Sequence, residues 1–183
     1  MRRIEWAVLD EAGRAEALAR PPQARGAELR VTVAEILAGV RGHGDEALRR
    51  YSVRFDRVDL AAFEATGAEF EAASAALDEA LKCAIAEAAG RIEAFHRACM
   101  SDTVTLETAP GVRVDRVSRA IERAGLYVPA GSAPLPSTVL MLAIPARLAG
   151  CEEVVLCSPP RADGGCDPAV LHAARACGVR RVT

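Results

Sequence analysis

The sequence predicts an α/β protein: an incomplete Rossmann-like parallel sheet preceded by a mainly helical segment with a β-hairpin. Between about residues 28 and 99, apolar residues recur every three or four positions, which is typical of amphipathic helices. The last third instead alternates short apolar strands with capped helical stretches, the order expected of parallel strands joined by helices. Its final strand begins at Val179 and reaches the last residue, so we expect the sheet to be incomplete.

The helices of the first part are predicted from stripes of apolar residues at helical spacing and from the residues that end each stripe. Residues 1–27 are charged and end in Arg-Pro-Pro-Gln before the first stripe, so we interpret them as an arm or linker. From Glu28 a stripe predicts a helix that the Gly-His-Gly at 42–44 stops, and Asp45 is placed to cap a short helix after it. The clearest helix, of about five turns, covers 81–99.

Strand patterns begin after this helix. A Pro-Gly turn at 110–111 between two alternating apolar runs predicts the β-hairpin. Residues 125–128 then predict a short strand that enters a loop rich in Pro, Gly and Ser. Ser137 or Thr138 is expected to cap the helix that follows, and Pro145 is expected to kink or shorten it.

The last third continues with two more strands and one more helix. Residues 154–157 form a continuous apolar run, which predicts a strand covered on both faces. Asp167 caps the next helix, Pro168 occupies its first position and Gly178 ends it.

Composition excludes several classes of protein. The 183 residues include 25 acidic and 23 basic side chains, so no basic excess marks a nucleic-acid surface. Aromatic residues make up 4%, too few for a base-stacking platform. The longest uncharged run, 124–146, contains four prolines and predicts no membrane span. The charged N-terminus lacks the apolar core of a secretion signal, so we expect a cytoplasmic protein.

The loop between Tyr127 and Thr138 is the most unusual stretch. It joins a strand to a helix, which is where α/β folds bind ligands, and the helix N-terminus there favours an anion. Alternatively, its three prolines simply make a rigid connection. Tyr127 either stacks on a nicotinamide or adenine ring or fills the core with its hydroxyl bonded locally. Ser137 either contacts a ligand or only caps the helix.

Histidines and cysteines predict no metal site. His43, His96 and His172 lie on separate elements, whereas zinc sites usually take two or more ligands close in sequence. The six cysteines are irregularly spaced without a C-x-x-C pair, and we expect reduced thiols packed mostly as small apolar residues. Cys151 and Cys157, which flank a predicted strand, are expected in the core.

Residues 125–146 nevertheless form a long and distinctive motif. Together with Ala-Gly-Cys at 149–151 and residues 154–160, this motif closely resembles the histidinol dehydrogenase family; it reads GLYVPAGSAPLPSTVLMLAIPA, and the last segment reads VVLCSPP. Weaker similarity extends upstream, so the resemblance covers about Glu28 to Thr183.

The resemblance implies a specific enzyme. Members of this family are zinc-containing homodimers that oxidise L-histidinol to L-histidine through L-histidinaldehyde, the last steps of histidine biosynthesis, and reduce two NAD⁺ in turn. Their fold has two incomplete Rossmann-like domains, which implies here an arm over 1–27, part of the first domain over 28–125 and the start of the second over 126–183.

The same resemblance implies three cofactor-binding residues. Tyr127, Pro129 and Gly131 match the family's GLYVPGG motif at the NAD site. Ala130 replaces the commoner glycine, which matters only where that position needs a positive φ.

Much of the family's chemistry is not matched by this chain. Family members are more than twice as long, and their zinc ligands and Glu-His acid–base pair are expected beyond Thr183. We therefore assign no catalytic or metal-binding residue, and we expect no histidinol turnover from the 183 residues alone. Two alternatives stay open: a related zinc- and NAD-dependent dehydrogenase of another small alcohol, and a non-catalytic nucleotide-binding fragment.

Overall fold

The computed structural model describes residues 4–19, 26–129 and 133–183. The chain divides into two compact units, Met1–Leu48 and Arg49–Thr183.

The first unit is helical. A 3₁₀ turn, Trp6–Val8, precedes α1 (Glu11–Leu18), whose first turn is capped by the Asp10 carboxylate. The predicted arm therefore contains a helix. Its Arg-Pro-Pro-Gln segment lies outside the described residues.

The next helix, α2 (Gly26–Tyr51), passes from the first unit into the second. Two helices meet within this span at Gly44, whose backbone is non-helical with φ 52° and ψ −131°, so the Gly-His-Gly at 42–44 interrupts the helix as predicted. Only glycine adopts this backbone conformation without strain, and the chain kinks there. A π-helical turn, Ser52–Asp56, follows α2.

Two helices then precede the strands. The first, α3 (Gly67–Ala76), was not predicted, because it is rich in alanine and buries only Phe70 and Ala73. The second, α4 (Glu79–Ala98), confirms the long helix and is capped by Asp78.

The predicted hairpin is confirmed as β1 (Val104–Ala109) and β2 (Val112–Arg116), which pair antiparallel with a bulge between Glu107 and Ala109. The turn uses Gly111 at φ 77°.

The parallel sheet is also confirmed. Its strands are β3 (Arg123–Tyr127), β4 (Glu153–Cys157) and β5 (Arg181–Val182), in the spatial order β3-β4-β5.

Helices α5 (Pro136–Leu148) and α6 (Pro168–Ala176) connect the strands of this sheet. Asp167 caps α6 and Pro168 opens it, as predicted. The expected cap of α5 by Ser137 or Thr138 is wrong: Leu135 is the N-cap residue and makes no side-chain cap bond. Pro145 does not end α5, which continues to Leu148.

The core lies between the sheet and its helices. Leu126, Leu156 and Val182 are register partners across the three strands, and Leu156 and Val182 are almost fully buried. Buried side chains from α5 and α6 belong to the same apolar cluster, as do Phe70 and Ile85 from α3 and α4.

Burial along the sheet corrects one expectation. Strand β4 was predicted to be covered on both faces, yet only Leu156 in it is buried and Cys157 is exposed. In β3 exposed and half-buried residues alternate, which is the pattern of a sheet with one covered face. The helices therefore cover one side of this short sheet.

Candidate cofactor-binding site

The carboxyl ends of the three parallel strands form one continuous edge. Tyr127 ends β3 and is the register partner of Cys157, which ends β4. The Val128 N–H donates to the Cys157 carbonyl at 2.9 Å, and the Ser158 N–H donates to the Thr183 carbonyl at 2.8 Å. These bonds fix the backbone at the edge where parallel α/β sheets bind ligands.

Tyr127 is exposed at this edge. Its side chain and backbone together retain 62% of their accessible surface, whereas the next residue, Val128, is completely buried. The alternation of the strand thus anchors Val128 in the core and leaves the Tyr127 ring outside it. The alternative that Tyr127 fills the core is therefore wrong, and its ring is available to stack on a planar ligand.

The other two predicted cofactor residues lie just beyond Tyr127. Pro129 is exposed, on the loop side of Val128. Gly131 lies outside the described residues, together with its neighbours at 130 and 132.

Helix α5 begins close behind this loop in sequence, at Pro136. Pro136 has no N–H to satisfy, and no side chain caps the first turn. The helix has 13 residues, so its N-terminus carries the partial positive charge that attracts an anionic group. Ser137 is exposed in the first turn, where a ligand can reach it.

The position of Cys157 differs from the prediction, and Cys157 makes a contact with Thr183 that the sequence did not predict. It was expected in the core but is exposed, and the Thr183 hydroxyl donates to its Sγ at 3.2 Å. Cys151 is half-buried. The Thr183–Cys157 contact joins β4 to the residue after β5, so it depends on strand order and has no local sequence signal.

The remaining cysteines only partly follow the prediction of packed thiols. Cys83 and Cys99 are exposed on or beside α4, whereas Cys177 is buried. Burial raises the pKa of the Cys177 thiol to about 11, and it raises the pKa of the half-buried Cys166 thiol to about 11 as well.

The three histidines lie on three different helices, α2, α4 and α6. His43 is exposed, and His96 is half-buried with its ring edge-on to Phe95 at 5.6 Å between centroids. The Nδ1 atom of His172 is hydrogen bonded to the Ser74 hydroxyl at 3.1 Å. Among the described residues no group of three or more His, Cys, Asp or Glu side chains is arranged to hold a metal ion. The described part of this chain therefore does not fit a zinc site.

One cavity of about 450 Å³ lies away from the carboxyl edge, beside the residues that lead into β5; its lining includes Phe70, Glu71, Arg175 and Arg180. Arg175 is already paired with Glu71 at 2.7 Å. Because the cavity adjoins the amino end of β5, it is not at the edge where this fold binds cofactors. No helix among residues 4–19, 26–129 and 133–183 is long and apolar enough to cross a membrane.

The chain is similar to known proteins over its whole length. The family model described as histidinol dehydrogenase matches residues 19–183. The histidinol dehydrogenase of Xanthomonas euvesicatoria is 56% identical over 182 residues, which are 100% of this chain and 42% of that protein. The Vibrio cholerae histidinol dehydrogenase is 44% identical over 183 residues, which are 100% of this chain and 41% of the relative.

A solved structure agrees with these relatives. The crystal structure of histidinol dehydrogenase from Elizabethkingia anophelis matches with a TM-score of 0.88 and 37% sequence identity, over 95% of this chain and 40% of that one. The chain thus spans about two fifths of the length of the proteins it matches.

Proposed function

The chain belongs to the histidinol dehydrogenase family, and on this premise we propose that it forms part of an enzyme that oxidises L-histidinol to L-histidine through L-histidinaldehyde. Two NAD⁺ are reduced in turn, and the reaction completes histidine biosynthesis. We further propose that the contribution of this chain is one side of the NAD site, at the carboxyl edge of β3, β4 and β5.

The observation that carries the proposal is the exposed Tyr127 ring at the end of β3. Large aromatic residues at strand ends normally gain free energy by burial, so a tyrosine that is left 62% exposed is available for a ligand. Tyr127 lies within the motif that resembles the family's NAD-binding segment. The residues around it are fixed by backbone hydrogen bonds, which limits the entropy lost when a planar ring stacks there.

The start of α5 supplies the second part of the proposed site. Its first turn has no side-chain cap, so its N–H groups and the helix dipole favour the pyrophosphate of a dinucleotide. Pro129 and Gly131 belong to the segment between the ring and the helix, and we propose that they let this segment approach the cofactor. NAD⁺ supplies the hydride acceptor when bound.

The rest of the chemistry is proposed to come from other residues. Hydride transfer from an alcohol also needs a base to take the hydroxyl proton and a group to polarise the oxygen. Because the described residues offer no cluster for zinc, we place the zinc ligands and the acid–base pair in the part of the family's sequence that this chain does not match. No catalytic residue is assigned to this chain.

Family membership also supports proposals on organisation. We propose a homodimeric, cytoplasmic enzyme with a small-alcohol substrate. The domain division at about residue 125, with 28–125 in the first α/β domain and 126–183 opening the second, is part of the same proposal.

Calorimetric titration of the 183-residue chain with NAD⁺ tests the binding role. We expect saturable binding that weakens by about tenfold in Tyr127→Ala, because stacking of one aromatic ring contributes on the order of 1–3 kcal/mol. Tyr127→Phe keeps the ring and should bind as the unmodified chain does. Phe95→Ala is the matched control, since Phe95 is 66% exposed but lies on α4. Absence of binding, or equal affinity in Tyr127→Ala, contradicts the proposed site.

A turnover assay tests the proposal that the base and the zinc ligands lie outside this chain. With zinc, NAD⁺ and L-histidinol present, the 183-residue chain should produce no NADH above the rate of a protein-free control. Turnover by this chain would show that the base and the metal ligands lie within it, and it would overturn our placement of them elsewhere.

A further inference from the structure

The cavity of about 450 Å³ beside β5 is bounded by three parts of the second unit. These are the first turns of α3, the last turn of α6 and the residues that lead into β5. Its volume lies within the range of about 300–1,000 Å³ that is usual for sites of small ligands. Phe70 and Val179 line it and also belong to the main apolar cluster, so part of its wall is held rigid by the core.

The charged side chains that line this cavity do not balance. Glu71 and Arg175 form an ion pair between α3 and α6, with 2.7 Å between Glu71 Oε1 and Arg175 Nη2. Arg180 is the third charged residue of the lining, and in the part of the chain that the structure describes it has no acidic partner. The lining therefore carries one uncompensated positive charge.

The adjacent arginine, Arg181, is paired by contrast. Its guanidinium donates to Glu153 Oε1 at 2.6 Å and lies 3.4 Å from Glu64 Oε1. Arg181 does not line the cavity. Of the two neighbouring guanidinium groups, one is thus satisfied beside the sheet, and the other lines the cavity and is available to a ligand.

The start of α3 adds a second source of positive potential. Gly67 is the first residue of this ten-residue helix and lines the cavity, and its N–H has no acceptor within the helix. A methyl group on Gly67 would meet no atom within 4 Å, so the space beside it is open. The nearby Glu69 carboxylate is not part of the lining, because it accepts from the Thr66 N–H and hydroxyl.

We propose that this cavity binds a small oxyanion, carried by a phosphate or a carboxylate group, between the Arg180 guanidinium and the first turn of α3. A guanidinium and the free N–H groups of a helix start are the donors that proteins use most often for such groups. The inference does not rest on NAD binding, since the cavity adjoins the amino end of β5 and Tyr127 lies at the carboxyl end of β3.

NMR titration of the ¹⁵N-labelled 183-residue chain with inorganic phosphate, at constant ionic strength, tests the site. We expect saturable shifts of the Gly67 and Arg180 amide signals, and no saturation when chloride replaces phosphate. A parallel titration with acetate distinguishes the two groups: saturation by one probe assigns the site to that group, and saturation by both assigns it to oxyanions generally. Shifts confined to the start of α5, or no saturable shift with either probe, would overturn the proposal.

Removal of the unpaired charge is the sharper test. Arg180→Gln should weaken binding of the saturating probe at least about tenfold, because a charge-assisted hydrogen bond is lost. Arg119→Gln is the matched control, since Arg119 is an exposed arginine of the same unit outside the cavity lining. Equal weakening in the two variants would show that net charge alone attracts the anion, which contradicts a site.

A second variant keeps the proposal testable if Arg180→Gln disturbs β5. Gly67→Glu puts a carboxylate into the open space at the start of α3, where the helix dipole tolerates it, and it should abolish binding. Gly90→Glu adds the same charge at an exposed position of α4 that is equally free of neighbours, and it should bind as the unmodified chain does. Undiminished binding by Gly67→Glu would overturn the proposal. NAD⁺ titration of both variants reports on the proposed cofactor site separately.

Discussion

The Ser74 hydroxyl and His172 Nδ1 are hydrogen bonded at 3.1 Å, and this bond joins α3 to α6 across 98 positions of sequence. Both residues are half-buried. The pair therefore reinforces the packing between a helix that precedes the hairpin and one that connects two strands of the parallel sheet, and it gives His172 a structural role.

Removing this bond should lower stability by a modest amount. We expect Ser74→Ala to reduce the free energy of unfolding by about 1 kcal/mol, the usual net contribution of a partly buried hydrogen bond. Urea denaturation monitored by circular dichroism measures it. Ser101→Ala, at an exposed position outside helices and strands, should change the value by less than about 0.5 kcal/mol. Equal effects of the two substitutions would show that the Ser74–His172 bond contributes nothing.

Core truncation in α5 should cost considerably more. Leu140 is 1% exposed within the main apolar cluster, and Leu140→Ala should lower the free energy of unfolding by about 2–5 kcal/mol through lost burial and a residual cavity. The adjacent Met141 is 55% exposed on the same helix, so Met141→Ala is the matched control and should cost less than about 1 kcal/mol. The comparison is made by chemical denaturation, and a cost for Leu140→Ala as small as that of the control would contradict the observed core.

Local signals explain which parts of the fold the sequence predicts. The stripe of α4 and the Asp167-Pro168 start of α6 are properties of short segments, and both helices are confirmed. Helix α3 escaped prediction because its alanines give almost no apolar periodicity. Its signal was instead the pair Thr66 and Glu69, which form a capping box. The Gly-His-Gly at 42–44 is another local signal, and the helical backbone is interrupted at Gly44 as it predicts.

The site was predicted less completely for a different reason. The motif placed Tyr127 at the end of a strand, but only the register of the sheet decides whether that ring is buried or exposed. Cys157 was predicted in the core because its apolar run is typical of a strand covered on both faces. The helices cover one face of the sheet. Which faces are covered depends on packing between elements distant in sequence, and the five residues of β4 carry no signal for it.

The capping box of α3 predicts a dependence on pH. The Thr66 N–H and hydroxyl donate to Glu69 Oε2 at 2.7 and 2.8 Å, and these bonds hold the pKa of Glu69 below its usual 4.5. Because the folded-state pKa is depressed, the stabilisation is present above pH 4.5 and is lost as the pH falls through the folded-state pKa. Thr66→Ala should raise the pKa of Glu69 partway towards 4.5, since the backbone N–H remains. NMR titration measures the shift, and an unchanged pKa would contradict the box.

Thr66→Ala should also lower the stability of the chain at neutral pH. Loss of an N-cap side chain costs about 1 kcal/mol in typical helices. Thr66→Ser retains the hydroxyl and serves as the control in the same denaturation experiment. Equal loss in both variants would mean that the methyl group, and not the cap bond, matters at this position.

Cysteine burial predicts an order of alkylation. At pH 8 a thiol with a pKa of about 11 is on the order of 0.1% thiolate, so buried Cys177 and half-buried Cys166 should resist iodoacetamide. The exposed thiols should react first; these are Cys83, Cys99 and Cys157. Peptide mass spectrometry gives the rates, and labelling in urea should bring all six cysteines to equal reactivity. Labelling of Cys177 as fast as Cys157 in the folded chain would contradict the observed burial.

Alkylation also gives an independent readout of the proposed cofactor site. Cys157 is the register partner of Tyr127 at the carboxyl edge, so NAD⁺ stacked on that ring should shield the Cys157 thiol. We expect saturating NAD⁺ to slow the labelling of Cys157 severalfold while Cys83, on α4, reacts at its original rate. In Tyr127→Ala the protection should disappear at the same NAD⁺ concentration, because the ring that holds the cofactor is gone. Protection of Cys83 and Cys157 alike would indicate a general stabilisation of the fold, and undiminished labelling of Cys157 would place the cofactor away from this edge.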